Sequence, residues 1–443
     1  MVSRYTTKNE LPNTQSVIPF QNAGLGTIVC LLAFLVECCA FEPAIGQEFV
    51  AQVANDSVWQ PWTSGSAKVV SLRPLVRDGW YNSSPSMITW GHAMDRYANP
   101  GKGWISFPAP FCWMVYRRGT GDRAISHGSL PQLSGGQNSA IVMRSHDLRR
   151  WRKVKLFEPP EGVIDGSGIG TSHLCADEDR LYLFLRVHTP TTEGQLDRLY
   201  MTSTSDGVTW SEPMLTRFAD GGYFFSWRVR MHDGNFYSAI SRREGDKPEL
   251  LDLMVSEDGI TWSRHARIDA DKTFRGESDL YWRADGELWC VVRTKRGSFM
   301  YWAQPPYQQW EGGTQIPGDD ALAICQSGNQ VYYAGRGPSK VVPQENDIGE
   351  GTTCVWHLRR GTAELIVSFP AGGDVSSPGL ISPEPGRLVI TFHSDIAYQM
   401  GPIKPKHPTE FRDEQSMSDV YIAEIEVSNV ATKAEQKKEK EGQ

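Results

Sequence analysis

Along most of this chain apolar and polar positions alternate over short runs, and sustained helical spacing is scarce. The apolar runs Leu181–Phe184, Phe236–Tyr237, Leu288–Trp289, Val331–Tyr333 and Leu388–Ile390 each follow a turn marker. Those markers are Asp177–Arg180, Asp233-Gly234, Asp285-Gly286, Ser327-Gly328-Asn329 and Pro385-Gly386, and each predicts a hairpin with the run behind it. A second pattern recurs between them: Ser145-x-Asp147-x-x-x-Trp151, Thr204-x-Asp206-Gly207-x-x-Trp210 and Ser256-x-Asp258-Gly259-x-x-Trp262. Its copies stand roughly fifty residues apart, the period of a supersecondary unit stacked on copies of itself. A hydroxyl and a carboxylate two residues apart can both accept from free backbone N–H groups. Gly supplies a φ > 0 position, and the Trp folds back over the corner. This chemistry makes Ser145, Asp147, Trp151, Asp206, Gly207, Trp210, Ser256, Asp258, Gly259 and Trp262 structural turn residues.

Two hairpin signals per period give about four strands per unit, which is the arithmetic of a propeller blade. Six units fit the chain. The first runs from Asn82 to the corner at Trp151, three more have corners near Trp210, Trp262 and Trp310, a fifth spans Val331–Phe369 and a sixth Ser376–Val427. The Trp310 corner, Gln304–Trp310, has lost both the hydroxyl and the Asp. Val69–Leu72 is expected to add a closing strand to the last unit, which would pair edges otherwise left open. The predicted fold is therefore an all-β, six-bladed propeller over residues 65–428, with 429–443 a charged tail in which Lys and Glu alternate.

A chain of 443 residues would allow two or three domains, but the repeat argues for one ring. The formal net charge of −7 indicates no basic nucleic-acid surface. At the amino end Ala23–Val36 is apolar and uncharged, with Arg4 and Lys8 before it and Cys38-Cys39-Ala40 after it. Residues 1–40 thus read as a secretory signal and the chain as exported, with a membrane-tethered signal anchor as the alternative. Cleavage after Ala40 leaves Cys112, Cys175, Cys290, Cys325 and Cys354, whose spacing fits neither a zinc site nor a dense disulfide scaffold. No metal and no cofactor is expected. His173, His188, His232 and His393 lie near strands and read as core or loop histidines.

A propeller gathers strand ends from every blade around one axis, so chemistry is expected from polar groups just beyond its strands. Arg117 and Arg118 follow one apolar strand, Arg293 and Arg336 follow two others, and Arg186 and Arg228 hold comparable places. Converging guanidinium groups repel, and burying them is costly without an anion. The planar fork of Arg matches a carboxylate or sulfate bidentately. Trp227 and Tyr223 are aromatic candidates for the lining of the hole.

The shortened corner motif resembles the Asp box of sialidases and related bacterial neuraminidase repeats, with one residue fewer between Asp and Trp. The segment Glu277-Ser278 through Asp285-Gly286 to Arg293 is similar to the sialidase stretch in which Glu-Ser opens a blade and an Arg ends the strand after the next hairpin. The similarity runs roughly from Asn82 to Val427, and the chain looks most like the secreted sialidase-like propellers of bacteria. The resemblance implies that Arg293 and Arg336 belong to an arginine triad holding a substrate carboxylate. It also implies that Glu277 activates a tyrosine nucleophile and that Asp122 occupies the general-acid loop. Two departures accompany it. Ser83-Ser84-Pro85-Ser86 replaces the usual Phe-Arg-Ile-Pro, leaving Arg73 or Arg117 to substitute for the first triad arginine. Ser377 stands where the nucleophilic tyrosine belongs, leaving Tyr398 to reach the pocket from a later loop. An inverting hydrolase needs no nucleophile and could draw its two carboxyls, roughly 6.5 to 9.5 Å apart, from Glu277, Asp122, Asp279 and Asp374. The expected function is a sialidase-like exo-glycosidase acting on an acidic terminal sugar of a glycan; the alternative is an inert glycan-binding propeller.

Overall fold

The computed structural model describes residues 62–428 except 66, 92–95, 100–102, 107–110, 120–137, 162, 164–166, 192–193, 225, 243–249, 270–273, 319, 338–350, 372–377 and 396–417. The expected signal segment and charged tail lie outside the described residues, as do Asp122, Asp374, Ser377 and Tyr398. Every described residue belongs to one compact unit, Val50–Gln443.

The chain is all-β, a six-bladed propeller. From the axis outward, blade one consists of Tyr81–Trp90, Phe111–Gly119, Ser139–Ser145 and Arg152–Phe157. Blade two consists of Gly168–Ala176, Leu181–Thr191, Gly194–Thr204 and Met214–Leu215. Blade three has Arg230–His232, Asn235–Arg242, Leu250–Ser256 and Thr261–Asp269, with Arg217–Phe218 added in parallel at its outer edge. Blade four has Phe274–Trp282, Leu288–Thr294, Gly297–Ala303 and Glu311–Ile316. Blade five has Asp320–Ser327, Gln330–Gly337, Gly351–Arg359 and Thr362–Ala371, with Trp62–Thr63 outermost. Blade six has Gly379–Glu384, Arg387–Ser394 and Asp419–Val427, closed by Ala67–Val76. Each innermost strand contacts the next, and that of blade six returns to that of blade one. The hairpin Arg96–Asn99 with Gly103–Ser106 adds a small separate sheet that the sequence pattern did not predict.

The alternating strands turn one apolar face to each neighbour, so the core is divided among the blade junctions. Leu183, Leu185 and Val187 pack with Val115 and Val142 between blades two and one, while Phe184 and Leu199 pack with Phe236 and Met254 between blades two and three. Comparable clusters fill the remaining four junctions.

The corners are held by their own side chains. Asp206 Oδ1 accepts from the N–H groups of Val208 and Thr209 at 2.8 and 2.7 Å, and Thr204 Oγ1 accepts from Gly207 at 2.9 Å. Asp258 and Ser256 repeat this arrangement, and Asp147 accepts from Arg149 and Arg150. Gly207 and Gly259 adopt φ of 70° and 73°, and a Cβ on either would come within 2.5 Å of Trp113 or Met201 in the preceding blade. At the first corner Leu148 takes the left-handed position, with φ 62°, and its carbonyl accepts from Trp151 Nε1 at 3.0 Å. The Trp310 corner, lacking hydroxyl and Asp, keeps the same geometry: Tyr307 has φ 64° and its carbonyl accepts from Trp310 Nε1 at 3.0 Å.

Ala67–Val76 runs antiparallel to Asp419–Val427 and completes blade six with a strand from before blade one. The seam is reinforced where Arg77 donates to Asp419 at 2.6 Å and to Tyr421 at 2.8 Å.

Candidate functional site

Every innermost strand begins at the end of the ring where its neighbour finishes, and the candidate site lies at that mouth. Four blades carry a register shift between these two strands at this end: Ser83 to Ser86, Leu185 to Val187, Phe274 to Ser278 and Asp320 to Ala323. A bulge breaks the ladder and re-aims side chains that a regular strand would bury against the next sheet.

The blade-four bulge brings Glu277 to Arg293, whose Nη1 donates to Glu277 Oε1 at 2.7 Å. Both side chains retain partial exposure, 13% and 20%. Arg336 lies at the same end of blade five, opposite Asp320 in register. In blade one Arg117 is buried with its guanidinium 5.0 Å from the Tyr81 ring centre, and Arg118 Nε lies 3.1 Å from Asp78 while the group covers Trp80. In blade two Asp197 joins two partners: Arg186 Nη2 donates to Oδ2 at 2.5 Å, and His188 Nδ1 is 2.5 Å from Oδ1. Burial alone would raise the Asp197 carboxyl, but the His188 hydrogen bond and the Arg186 charge outweigh it and hold it well below the usual carboxylate range. Burial lowers the His188 imidazole against the pull of Asp197, and the charges of Arg186 and Arg117 act the same way, so the ring is neutral near pH 7. Gly170 makes room for that ring, since a Cβ there would fall 2.0 Å from His188 Nε2.

Below the mouth, charged groups span the axis. Arg228 of blade three donates from Nε to Leu322 O at 2.6 Å and from Nη2 to Pro378 O at 2.7 Å, reaching blade five and the entry to blade six. Arg230 grips both oxygens of Asp279 at 2.7 and 2.5 Å and donates to Ile324 O at 3.0 Å. Arg228 thus bolts three blades together, a role with no signal in sequence because its partners are carbonyls. Burial pushes its guanidinium down to about 10.

Several sequence-based expectations need correction. Asp279 is 1% exposed, with both oxygens taken by Arg230 and the amides of Leu280 and Ile324, so it is not available as an acid or base. Arg73 sits in the outermost strand of blade six and donates to Leu148 O at 2.5 Å, away from the axis, so it cannot supply a triad arginine. Tyr223 is 45% exposed, bridges Arg217 at the outer edge of blade three and lies under Arg198 instead of lining the hole. Trp227 is buried beside Arg228. Sequence reading missed Asp197 as the partner of Arg186 and His188, although the hairpin register that places it opposite His188 follows from the two strands. Among the described residues no group of three or more His, Cys, Asp or Glu is placed to hold a metal ion.

No protein-family model matches this chain, and no curated protein matches it. Solved structures do. A protein of unknown function from Dyadobacter fermentans is similar with a TM-score of 0.57 at 15% identity, covering 82% of this chain and 100% of that one. Trypanosoma rangeli sialidase, solved with 2,3-difluorosialic acid as a covalent intermediate, is similar with a TM-score of 0.52 at 10% identity, covering 82% of this chain. This chain spans 59% of that enzyme's length. The endosialidase of phage phi92 is similar with a TM-score of 0.50 at 12% identity, covering 82% and 70% of the two chains. At such identities the likeness shows a shared sialidase-like propeller fold.

Proposed function

We propose that this chain is a sialidase-like glycoside hydrolase that takes an acidic, sialic-acid-like terminal sugar at the mouth of the ring. The observation that carries this reading is the joining of Glu277 to Arg293 at a bulge in the mouth, with Arg117, Arg186 and Arg336 at the same end of other blades. Arg293 is anchored to Glu277 through Nη1, and its planar guanidinium has the shape that pairs with a substrate carboxylate. In the reaction Glu277 would accept the proton of a water or of the Tyr398 phenol, whose ordinary pKa of about 10 requires such a base. Asp122 would return a proton to the leaving oxygen.

The test is turnover of fluorogenic sialosides beside a panel of neutral glycosides and uronides. Glu277→Gln is expected to lower kcat by about 10²-fold or more, the usual contribution of a positioned base. Turnover unchanged in that variant would remove Glu277 from the mechanism.

A second reading, an inert propeller that binds an acidic glycan, is favoured by one observation: Ser377 occupies the position at which the resemblance expects a tyrosine. Calorimetry separates the two, because this reading gives saturable sialoside binding with no released sugar.

A further inference from the structure

Blade one ends in a basic edge, although the chain as a whole carries a formal net charge of −7. Arg149 and Arg150 stand in its corner. Arg152, Lys153 and Lys155 follow on the outermost strand, which has no strand beyond it among the described residues. All five are exposed, and none of their side chains has an ion-pair or hydrogen-bond partner among the described residues. The ammonium of Lys155 lies 5.7 Å from the Phe157 ring centre. The corner carboxylate, Asp147, spends Oδ1 on the N–H groups of Arg149 and Arg150 at 2.9 and 2.7 Å, which fixes the backbone from which both cations project, and its Oδ2 lies 3.9 Å from His146. Arg73, from the closing strand of blade six, adds a sixth cation by donating to Leu148 O and Arg149 O at 2.5 and 3.4 Å, where Glu424 and Asp147 offset part of its charge.

Charge on an edge strand keeps it from pairing with other chains, and one or two charges serve that purpose. The outermost strands Met214–Leu215 and Trp62–Thr63 carry none, Arg217–Phe218 carries one cation and Glu311–Ile316 one acid. On the edge of blade six Lys68 is paired with Glu426 at 3.0 Å. Five cations in the seven residues from Arg149 to Lys155 exceed that need. An anionic membrane would attract them too, but little apolar area accompanies them: Trp151 is tied to Leu148 O, Val154 packs on the blade junction, Phe157 is buried, and Leu156 is 39% exposed. Along an extended strand the cations succeed one another at about 3.3 Å per residue on alternate sides. The result is a line of charge one strand wide, which matches a chain of anions better than a plane of them.

We infer that the outer edge of blade one, from Arg149 to Lys155, is a docking site for a linear acidic polysaccharide, whose sulfate or carboxylate groups pair with the guanidinium forks and ammonium groups. The site lies on the outermost strand, apart from the mouth, so it stands or falls whatever the sialoside assays return. The test is binding of the full chain to heparin, to alginate and to neutral dextran at low salt. Saturable binding to heparin alone assigns the site to sulfate, to alginate alone to carboxylate, and to both to charge on successive sugars; each supports the inference. Binding to neither, or equal binding to dextran, overturns it. The combined variant Arg152→Gln, Lys153→Gln, Lys155→Gln should keep its melting midpoint, weaken binding by about tenfold or more and flatten its dependence on salt. Arg149→Gln with Arg150→Gln should weaken binding in the same direction from the corner. A variant lacking Arg180, Arg359 and Arg360, exposed elsewhere on the ring, loses the same charge as the first and should bind as the native chain does. Equal weakening in that variant would mean that diffuse charge, and not this edge, holds the polymer. Affinity as high for duplex DNA or for phosphatidylglycerol vesicles would also overturn the assignment, because the edge would then be selecting negative charge without regard to the chain that carries it.

Discussion

Asp206 shows how a single carboxylate settles a corner. The N–H groups of Val208 and Thr209, together with the Thr204 hydroxyl, hold its carboxyl down at about 2, against an ordinary value near 3.8. Because the folded value is the lower one, its contribution to stability is complete above about pH 4 and is lost as pH falls toward 2. Asp147 and Asp258 are lowered by the same kind of bonds, against the opposing effect of burial. Asp206→Asn keeps an acceptor and removes the titration, so it should flatten the fall in stability between pH 4 and 2. NMR titration of the native protein should place the Asp206 midpoint near 2; a midpoint near 3.8 would mean that the bonds do not persist in solution. This turn was legible in the sequence because donors and acceptor lie within three residues of one another. Arg228 was not, because its acceptors are carbonyls 94 and 150 residues away that any residue type would supply. Glu277 and Arg293 fall between these cases: sixteen residues apart and on paired strands, they meet wherever the hairpin between them forms.

The strands and their hairpins follow from apolar alternation and turn chemistry, whereas the bulges at the mouth do not, since each depends on how an innermost strand seats against the next blade. Blade two illustrates the dependence. Its register slips between Leu185 and Val187, Arg186 swings to Asp197, and His188 settles over Gly170. Ala at position 170 would put a methyl 2.0 Å from His188 Nε2, so the imidazole must leave and the His188–Asp197 bond must break. Overpacking of this kind costs about 1–3 kcal/mol, so Gly170→Ala should lower the urea midpoint accordingly. Gly168→Ala, where the nearest atom is 3.3 Å away on Asn138, is the milder control. Equal stability of the two variants would show that His188 is not confined as described. The three-residue innermost strand Arg230–His232 escaped sequence reading for a related reason: just before it Arg228 donates across the axis and Ser226 Oγ donates to Arg228 O, bonds that stand in place of a ladder.

At the scale of the molecule, ring closure decides whether the mouth exists, because Arg228 can reach blades five and six only if the last blade returns to the first. That return rests on Ala67–Val76, the one strand of blade six that comes from the other end of the chain. Without it Asp419–Val427 would present a row of unpaired N–H and C=O groups, an edge open to other chains. Tyr421, Ala423 and Ile425 at the junction of blades five and six would lose the cover of Ala67, Val69 and Leu72. A chain beginning at Arg77 keeps the Arg77–Asp419 bond but lacks the strand, so it should melt at a lower temperature and associate with a concentration dependence that the intact protein lacks. A peptide of residues 62–76 added in trans should restore both properties by pairing with the open edge. If the truncated chain melts as the intact one does, closure is supplied by the junction contacts between blades six and one, and the strand is a cover for an edge and not the clasp of the ring.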